Sequence, residues 1–451
     1  VLPTVGPRFE VVDRQRPIRL VRPFDPSLPG PVAPYLAVEG SPGAPLTIEG
    51  AGLRVVGTYD DHARLEVTTG RRTTRHRSRR HGRAAGPVER LGLALTGTHV
   101  TLLTREAGAW VARCRVDLSG PTGPTGLPGR RWPGPDVHDE AWLATVTATG
   151  GELGGFGQLG LRDLRVVTTA DGAAYRPDGR VHLTATSAGP GFFDTAHTSV
   201  WSLDPATLDL RHTADLFFRR PDRPGVLGDH ATHLVRDEGG DSAHGAGRWL
   251  VATSTWGDFD RRRRTRVTLA ETTADVLHGT HVLDTRELPL PTGDLRSVAV
   301  WDPHLVRTDE GWLVGFVNAS RYFAFHPALA GGPDLDRLRL LAADPAPREC
   351  EGTTLLRLDG AWRVLASDRH DRTWPVHDLA LRRTGRLDAP YPSNIPWPTL
   401  VPLGEDEGGG WLAVTFDGTR AGGRVAGYGT HGDVVVMRAA AQGSGSGSVS
   451  R

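Results

Sequence analysis

The chain has 451 residues, and 53 basic side chains against 52 acidic ones leave a formal net charge of +1. That balance excludes nucleic-acid binding by bulk electrostatics, which needs a strong basic surplus. Glycine (57) and proline (34) make up about a fifth of the residues, yet 38% are hydrophobic, enough for a true core.

Helical periodicity is scarce along the whole sequence. Apolar runs of four to seven residues, rich in Val, Leu, Thr and Trp and bounded by Gly, Asp and Pro, predict a mostly β chain. In the first region the clearest strand pairs fall at 52–69 and 91–118. Residues 98–104 run into a turn at Glu106, Ala107 and Gly108, and 109–116 return with apolar residues on alternate positions. This pattern predicts a hairpin in a β-sandwich-like N-terminal accessory domain over 1–140. A Pro/Gly-rich stretch at 121–135 is the candidate linker, and the Gly/Ser-dominated end at 441–451 is expected to be a flexible tail.

From about residue 150 the sequence repeats. PHLVRTDEGWLV (303–314) is an apolar strand, an acidic-glycine turn and a Trp-led strand, and TTLLRLDGAWRV (353–364) has the same form. THLVRD (232–237) resumes at RWLV (248–251), PTLV (398–401) leads to GWLA (410–413), and LRVV (164–167) with RVHL (180–183) is a copy without the Trp. Five copies, beginning near 163, 230, 302, 351 and 397, leave room for four strands each. A hairpin cannot bury its face alone, and radial stacking of sheets solves that. The expectation is therefore an all-β chain with a five-bladed β-propeller over 150–440. Within it Trp249, Trp312, Trp362 and Trp411 are expected to be core packing.

The start of each innermost strand points at a propeller's central channel. The copies open with Arg162-Asp163-Leu164, Gly228-Asp229-His230-Ala231, Trp301-Asp302-Pro303, Glu349-Cys350-Glu351-Gly352 and Ile395-Pro396-Trp397-Pro398. Four of the five thus begin with a carboxylate, a residue type depleted from strands. Turn acids such as Asp309 and Asp359 suit turns for local reasons, but the opening acids have no such explanation. Converging carboxylates raise one another's pKa, so that one serves as acid while another stays a base.

WDPHLV (301–306) followed by Gly311 and Trp312, and EGTTLL (351–356) followed by Asp359-Gly360, resemble the five-bladed glycoside hydrolases of family 43 and their clan relatives, the arabinanase, arabinofuranosidase and xylosidase group. The resemblance covers 150–440. It implies Asp163 as general base, Glu351 as general acid and Asp302 as the residue orienting Glu351. It also implies an inverting cleavage of arabinofuranosyl, xylosyl or related bonds in an oligo- or polysaccharide. The sequence departs from the family pattern at Arg162-Asp163-Leu164, where the family has Asp-Pro, so Asp139, Glu140 and Asp171 compete for the base. Glu349 competes with Glu351 for the acid. Blade five has Pro396-Trp397-Pro398 where relatives often place a His; no cofactor is expected, and a channel Ca2+ lacks support.

Substrate contacts are expected from Trp301, Trp397, His230, Asp229, Arg162 and His304, with Trp201, Trp256 and His377 as further candidates. Two other classes of function fit the same scaffold: a non-catalytic propeller that binds a glycan or protein, and a phosphorylase or biosynthetic enzyme reusing the carboxylates. The arginine runs at 71–83 and 261–266 have no interleaved aromatics and are expected to be solvated loops. No lysine occurs, which reflects codon bias more than chemistry. Cys114 and Cys350 are expected to be separate thiols. No stretch approaches the ~20 apolar residues that cross a bilayer, and Val1 opens the chain without a secretory leader's charged and apolar regions, of which a cleaved leader would leave no trace.

Overall fold

The computed structural model describes residues 3–119, 134–239, 247–418 and 432–440. Most of the stretch expected as a linker, up to residue 133, and the tail from 441 lie outside them. Nearly all regular structure is β. Two antiparallel sheets come first. One runs in the order Ala109–Asp117, His99–Glu106, Arg90–Thr96, Tyr35–Gly40, Gly151–Gln158, Arg19–Arg22; the other Thr147–Thr149, Leu46–Gly50, Leu53–Tyr59, Ala63–Thr69, Arg72–His76. Alternate residues of the second sheet, Leu53, Val55, Leu65 and Val67 among them, meet Leu36, Val38, Leu93 and Leu102 of the first in one apolar core. The expected hairpin pairs His99–Glu106 with Ala109–Asp117, and Ala107 and Gly108 turn the chain with φ of 47° and 77°. Two positive φ values in succession match the right-handed twist of the flanking strands.

Five further sheets follow, each a meander leading outward from an innermost strand. Those strands are Leu161–Val166, His230–Asp237, Ala299–Thr308, Cys350–Leu358 and Thr399–Pro402, and they define sheets one to five. In sheet two the short Thr168–Thr169 lies alongside the innermost strand. The inner strands of sheets one to four pack on one another in order, and that of sheet one also packs against sheet five. A shared apolar cluster draws Leu164, Ala231, Trp301, Trp397 and Val401 together around the centre, as a β-propeller requires. The chain's first residues belong to this part of the molecule. Thr4–Arg8 adds to sheet four beside Arg383–Asp388, and Glu10–Gln15 forms the outer strand of sheet five beside Asp433–Ala439. They cover edges that would otherwise expose unpaired backbone groups.

The sequence repeat has a packing basis. In sheets two, three and four the arginine near the end of the inner strand faces the tryptophan that starts the next, as Arg236–Trp249, Arg307–Trp312 and Arg357–Trp362. Each guanidinium lies over its indole at 5.1–5.7 Å, a cation–π contact that also covers the ring. Trp249 and Trp312 are core residues, whereas Trp362 and Trp411 are only half-buried and border a cavity at one mouth of the channel. Cys114 and Cys350 are separate buried thiols.

Candidate active site

In four of the five sheets one local device sets the inner strand's opening. Against its neighbour the inner strand spends three residues where the partner spends two: Arg162 to Arg165 opposite Thr186 to Thr184, His230 to His233 opposite Ser254 to Ala252, Trp301 to His304 opposite Val317 to Gly315, and Glu351 to Thr354 opposite Ser367 to Leu365. The second residue of each bulge is left-handed, with φ of 52° at Asp163, 61° at Ala231, 56° at Asp302 and 70° at Gly352. Aspartate tolerates this region better than most residues, and bulges re-aim side chains next to active sites. Glu351 comes one residue before the left-handed position and so stands where Arg162, His230 and Trp301 stand in the other sheets.

These residues converge on one cavity of about 230 Å3, lined by Arg162, Asp163, His230, Trp301, Asp302, Glu351 and Trp397 among others. Trp256, Phe193, Phe259 and Tyr322 complete an aromatic wall. Phe193 packs on Trp256 at 4.7 Å, Trp256 on Trp301 at 5.2 Å, and Trp301 lies parallel to Tyr322. The first of the two initial sheets buttresses this wall: Tyr35 Oη donates to the Asp194 carbonyl at 3.3 Å, and His99 lies 3.3 Å from the Asp194 carboxylate, next to Phe193.

The carboxylates differ in environment. Asp302 is buried and accepts the Gly352 N–H at 3.3 Å, while its own N–H donates to Ser254 Oγ at 2.9 Å. Burial, then the charges of Glu351 and Asp163, raises its pKa well above the usual carboxylate range. Glu351 is partly open to the cavity but enclosed by protein. Burial and then the Asp163 charge push it up to about 8, against the opposing pull of Arg162 and a hydrogen bond from Trp301. Arg162 lies 3.8 Å from Asp163. His230 donates its Nδ1–H to the Gly228 carbonyl at 3.1 Å, which leaves Nε2 as an acceptor, and burial lowers its pKa to about 4.

The competing carboxylates have other partners. Glu349 is ion-paired to Arg369 and lies 3.6 Å from His370. Asp139 caps a short helix at Glu140–Leu143, Glu140 pairs with Arg219 at 2.6 Å, and Asp171 closes a turn at the opposite mouth. Four expected contact residues lie elsewhere. Asp229 is fully buried in an ion pair with Arg220 and accepts the Gly257 N–H at 3.0 Å. His304 borders the cavity at the opposite mouth and accepts the Leu355 N–H through Nδ1 at 3.4 Å. Trp201 donates to Ser199 Oγ and packs against Arg22 and His212. His377 bonds the Val364 carbonyl, away from the cavity. In the arginine runs, Arg75 pairs with Glu66, Arg263 with Asp258 and Arg266 with Glu287. Sequence reasoning missed Arg165, two residues beyond Asp163 and buried in the channel. Among the described residues no group of three or more His, Cys, Asp or Glu side chains is arranged to hold a metal ion, and no helix is long and apolar enough to cross a membrane.

No family model and no curated protein matches the sequence. Among solved structures the chain is similar to a levansucrase of Bacillus subtilis, at 10% identity over 63% of this chain and 86% of that one, with a TM-score of 0.43. It is also similar to Zg3597, a family 117 glycoside hydrolase of the marine bacterium Zobellia galactanivorans, at 11% identity over 62% and 84% with a TM-score of 0.43. An α-L-arabinofuranosidase of Lactobacillus brevis gives 14% identity over 62% and 90% with a TM-score of 0.40. These similarities concern the course of the chain, and no residue's role is taken from them.

Proposed function

We propose that this chain is a glycoside hydrolase acting by inversion, with its chemistry in the cavity at the mouth formed by the bulges. The observation that carries the reading is the convergence of Asp163, Asp302 and Glu351 in one aromatic-walled cavity where Glu351 keeps its proton at neutral pH. In this reading Glu351 protonates the leaving-group oxygen as the glycosidic bond breaks. Asp163 takes a proton from a water attacking the opposite face of the sugar ring, and the anomeric centre inverts. Asp302 orients the machinery by accepting the Gly352 N–H, next to Glu351 in the strand. Glu349 also borders the cavity, but its carboxyl is engaged by Arg369 instead of facing a leaving group.

Trp301 and Trp397 line the cavity as nearly buried apolar walls, and His230 Nε2 is placed to accept a hydroxyl proton. The small cavity favours a terminal sugar over a chain passing through, and arabinofuranosides and xylosides are the first substrates to try. The first of the two initial sheets acts as a support for the Phe193 wall. The test is turnover of a panel of aryl glycosides, with the anomer of the first-formed sugar read by proton NMR. Release of the inverted anomer supports the reading and release of the retained anomer overturns inversion. Saccharide binding without product, unchanged in Asp163→Asn, would make the chain a binding propeller instead.

A further inference from the structure

Arg165 is an unusual residue to find in a channel. It is 1% exposed, and Nη1 donates to the Thr353 carbonyl at 3.1 Å and to Thr354 Oγ1 at 3.3 Å. Its guanidinium lies 4.6 Å over the Trp397 ring. Nε and Nη2 are buried without a hydrogen-bond partner among the described residues, and no carboxylate there forms an ion pair with it. A buried guanidinium with open donors is costly unless negative charge lies near. An apolar side chain would pack on Trp397 without that cost.

The titratable and charged groups of the channel stand around four inner strands, and of these Asp302 and Asp163 act on Arg165. On its own strand stand Arg162 and Asp163, on sheet three Asp302 and His304, on sheet four Glu349 and Glu351, and on sheet two His230 and His233. His233 and His304 stack at 4.2 Å, and each accepts a backbone N–H through Nδ1, so both rings are neutral Nε2–H tautomers. His230 is neutral as well, and Glu349 is held by Arg369. What remains near Arg165 is the negative charge of the cavity carboxylates, with Asp302 and Asp163 acting on it through space.

We propose that Arg165 is the internal counter-ion of the Asp163, Asp302 and Glu351 cluster, a positioning residue that holds one of the three in its charged form. The proposal rests on the hydrolase reading only for its purpose, a carboxylate base kept ready beside a protonated acid. The charge pairing itself is independent of substrate. The guanidinium acts from the layer of the channel below the carboxylates, which leaves their cavity faces free.

The test is a carboxyl 13C NMR titration of the full chain without substrate, in wild type, Arg165→Met and Arg165→Lys. The expected result is that the lowest titration midpoint of the cluster rises by about 1–3 pH units in Arg165→Met, and that Arg165→Lys restores most of the shift. Unchanged midpoints in a folded Arg165→Met, or a lysine variant that titrates like the methionine one, would overturn the proposal. If Arg165→Met does not fold, Asp163→Asn/Arg165→Met decides. A folded double variant supports charge pairing, and an unfolded one assigns Arg165 to packing on Trp397. Because no turnover is measured, an inactive wild type would sink the hydrolase reading and leave this result standing.

Discussion

Replacing Glu351 by glutamine separates the catalytic reading from the electrostatic one in a single variant. Glutamine keeps the shape and removes the proton that Glu351 holds at neutral pH. A carboxyl whose pKa rises from an ordinary 4.5 to about 8 on folding makes the folded state lose stability as pH climbs between those values, because the unfolded chain releases a proton the folded one keeps. The penalty is absent below about 4.5, grows by roughly 1.4 kcal/mol per pH unit, and reaches about 3 kcal/mol near pH 7. Glutamine carries no such penalty. Glu351→Gln should therefore melt close to wild type at pH 4.5 and progressively above it up to pH 8, while turnover falls by about 10²–10⁴-fold. Wild-type turnover should itself decline above pH 8 as the acid loses its proton. Thermal melts across that pH series, beside initial rates on the best glycoside of the panel, measure both effects. A melting difference that stays flat from pH 4.5 to 8 would refute the assignment of a buried, protonated Glu351, and retained turnover would refute its role as acid.

Asp163→Asn should lower kcat by about 10²–10⁴-fold with little change in KM; steady-state kinetics showing a normal kcat would remove Asp163 as the base. Gly352→Ala would place a Cβ inside contact distance of the Trp397 indole at a left-handed position. The two effects together should cost roughly 2–4 kcal/mol, seen as a lower melting temperature, and an unchanged melt would show that Trp397 moves freely. Asp229→Asn breaks a buried ion pair with Arg220, which should cost about 3–5 kcal/mol. A variant as stable as wild type by thermal melting would mean that this pair does not hold sheets one and two together.

The repeat was legible because its cause is local. In sheets three and four an arginine, a tight acidic-glycine turn and a tryptophan recur where the inner strand hands over to the next, and cross-strand stacking there brings together residues close in sequence. What joins the chain's first residues to its last sheets is not local. By sequence Thr4–Arg8 and Glu10–Gln15 fall in the N-terminal domain with the rest of 1–140, and nothing in their composition names partners some 380 to 430 residues away. Asp229 reads as a site residue because it opens a repeat copy, but its partner Arg220 comes from the preceding sheet, and a single sequence does not reveal that pairing. Arg165 escapes sequence reading for a related reason. An arginine inside an apolar strand carries no motif, and only its burial beneath the carboxylates makes it notable.

One rule of register accounts for both the residues that meet in the cavity and those that do not. Counting from the left-handed residue of each bulge, the position before it and the position itself face the carboxylate mouth: Arg162 and Asp163, His230 and Ala231, Trp301 and Asp302, and Glu351. The position two further on lies in the next layer of the channel, with Arg165, His304 and Thr354 bordering the opposite cavity and His233 bonded to Thr168. The extra residue in each bulge causes this division, because it returns the strand to the same face after three residues instead of two. By a strict period of two His304 would share a face with Asp302. The bulge separates them and gives the carboxylates a layer of neutral histidines and one arginine as their floor. The left-handed backbone of Asp163 and Asp302 thus sets which side chains can act on a substrate and which can only tune them.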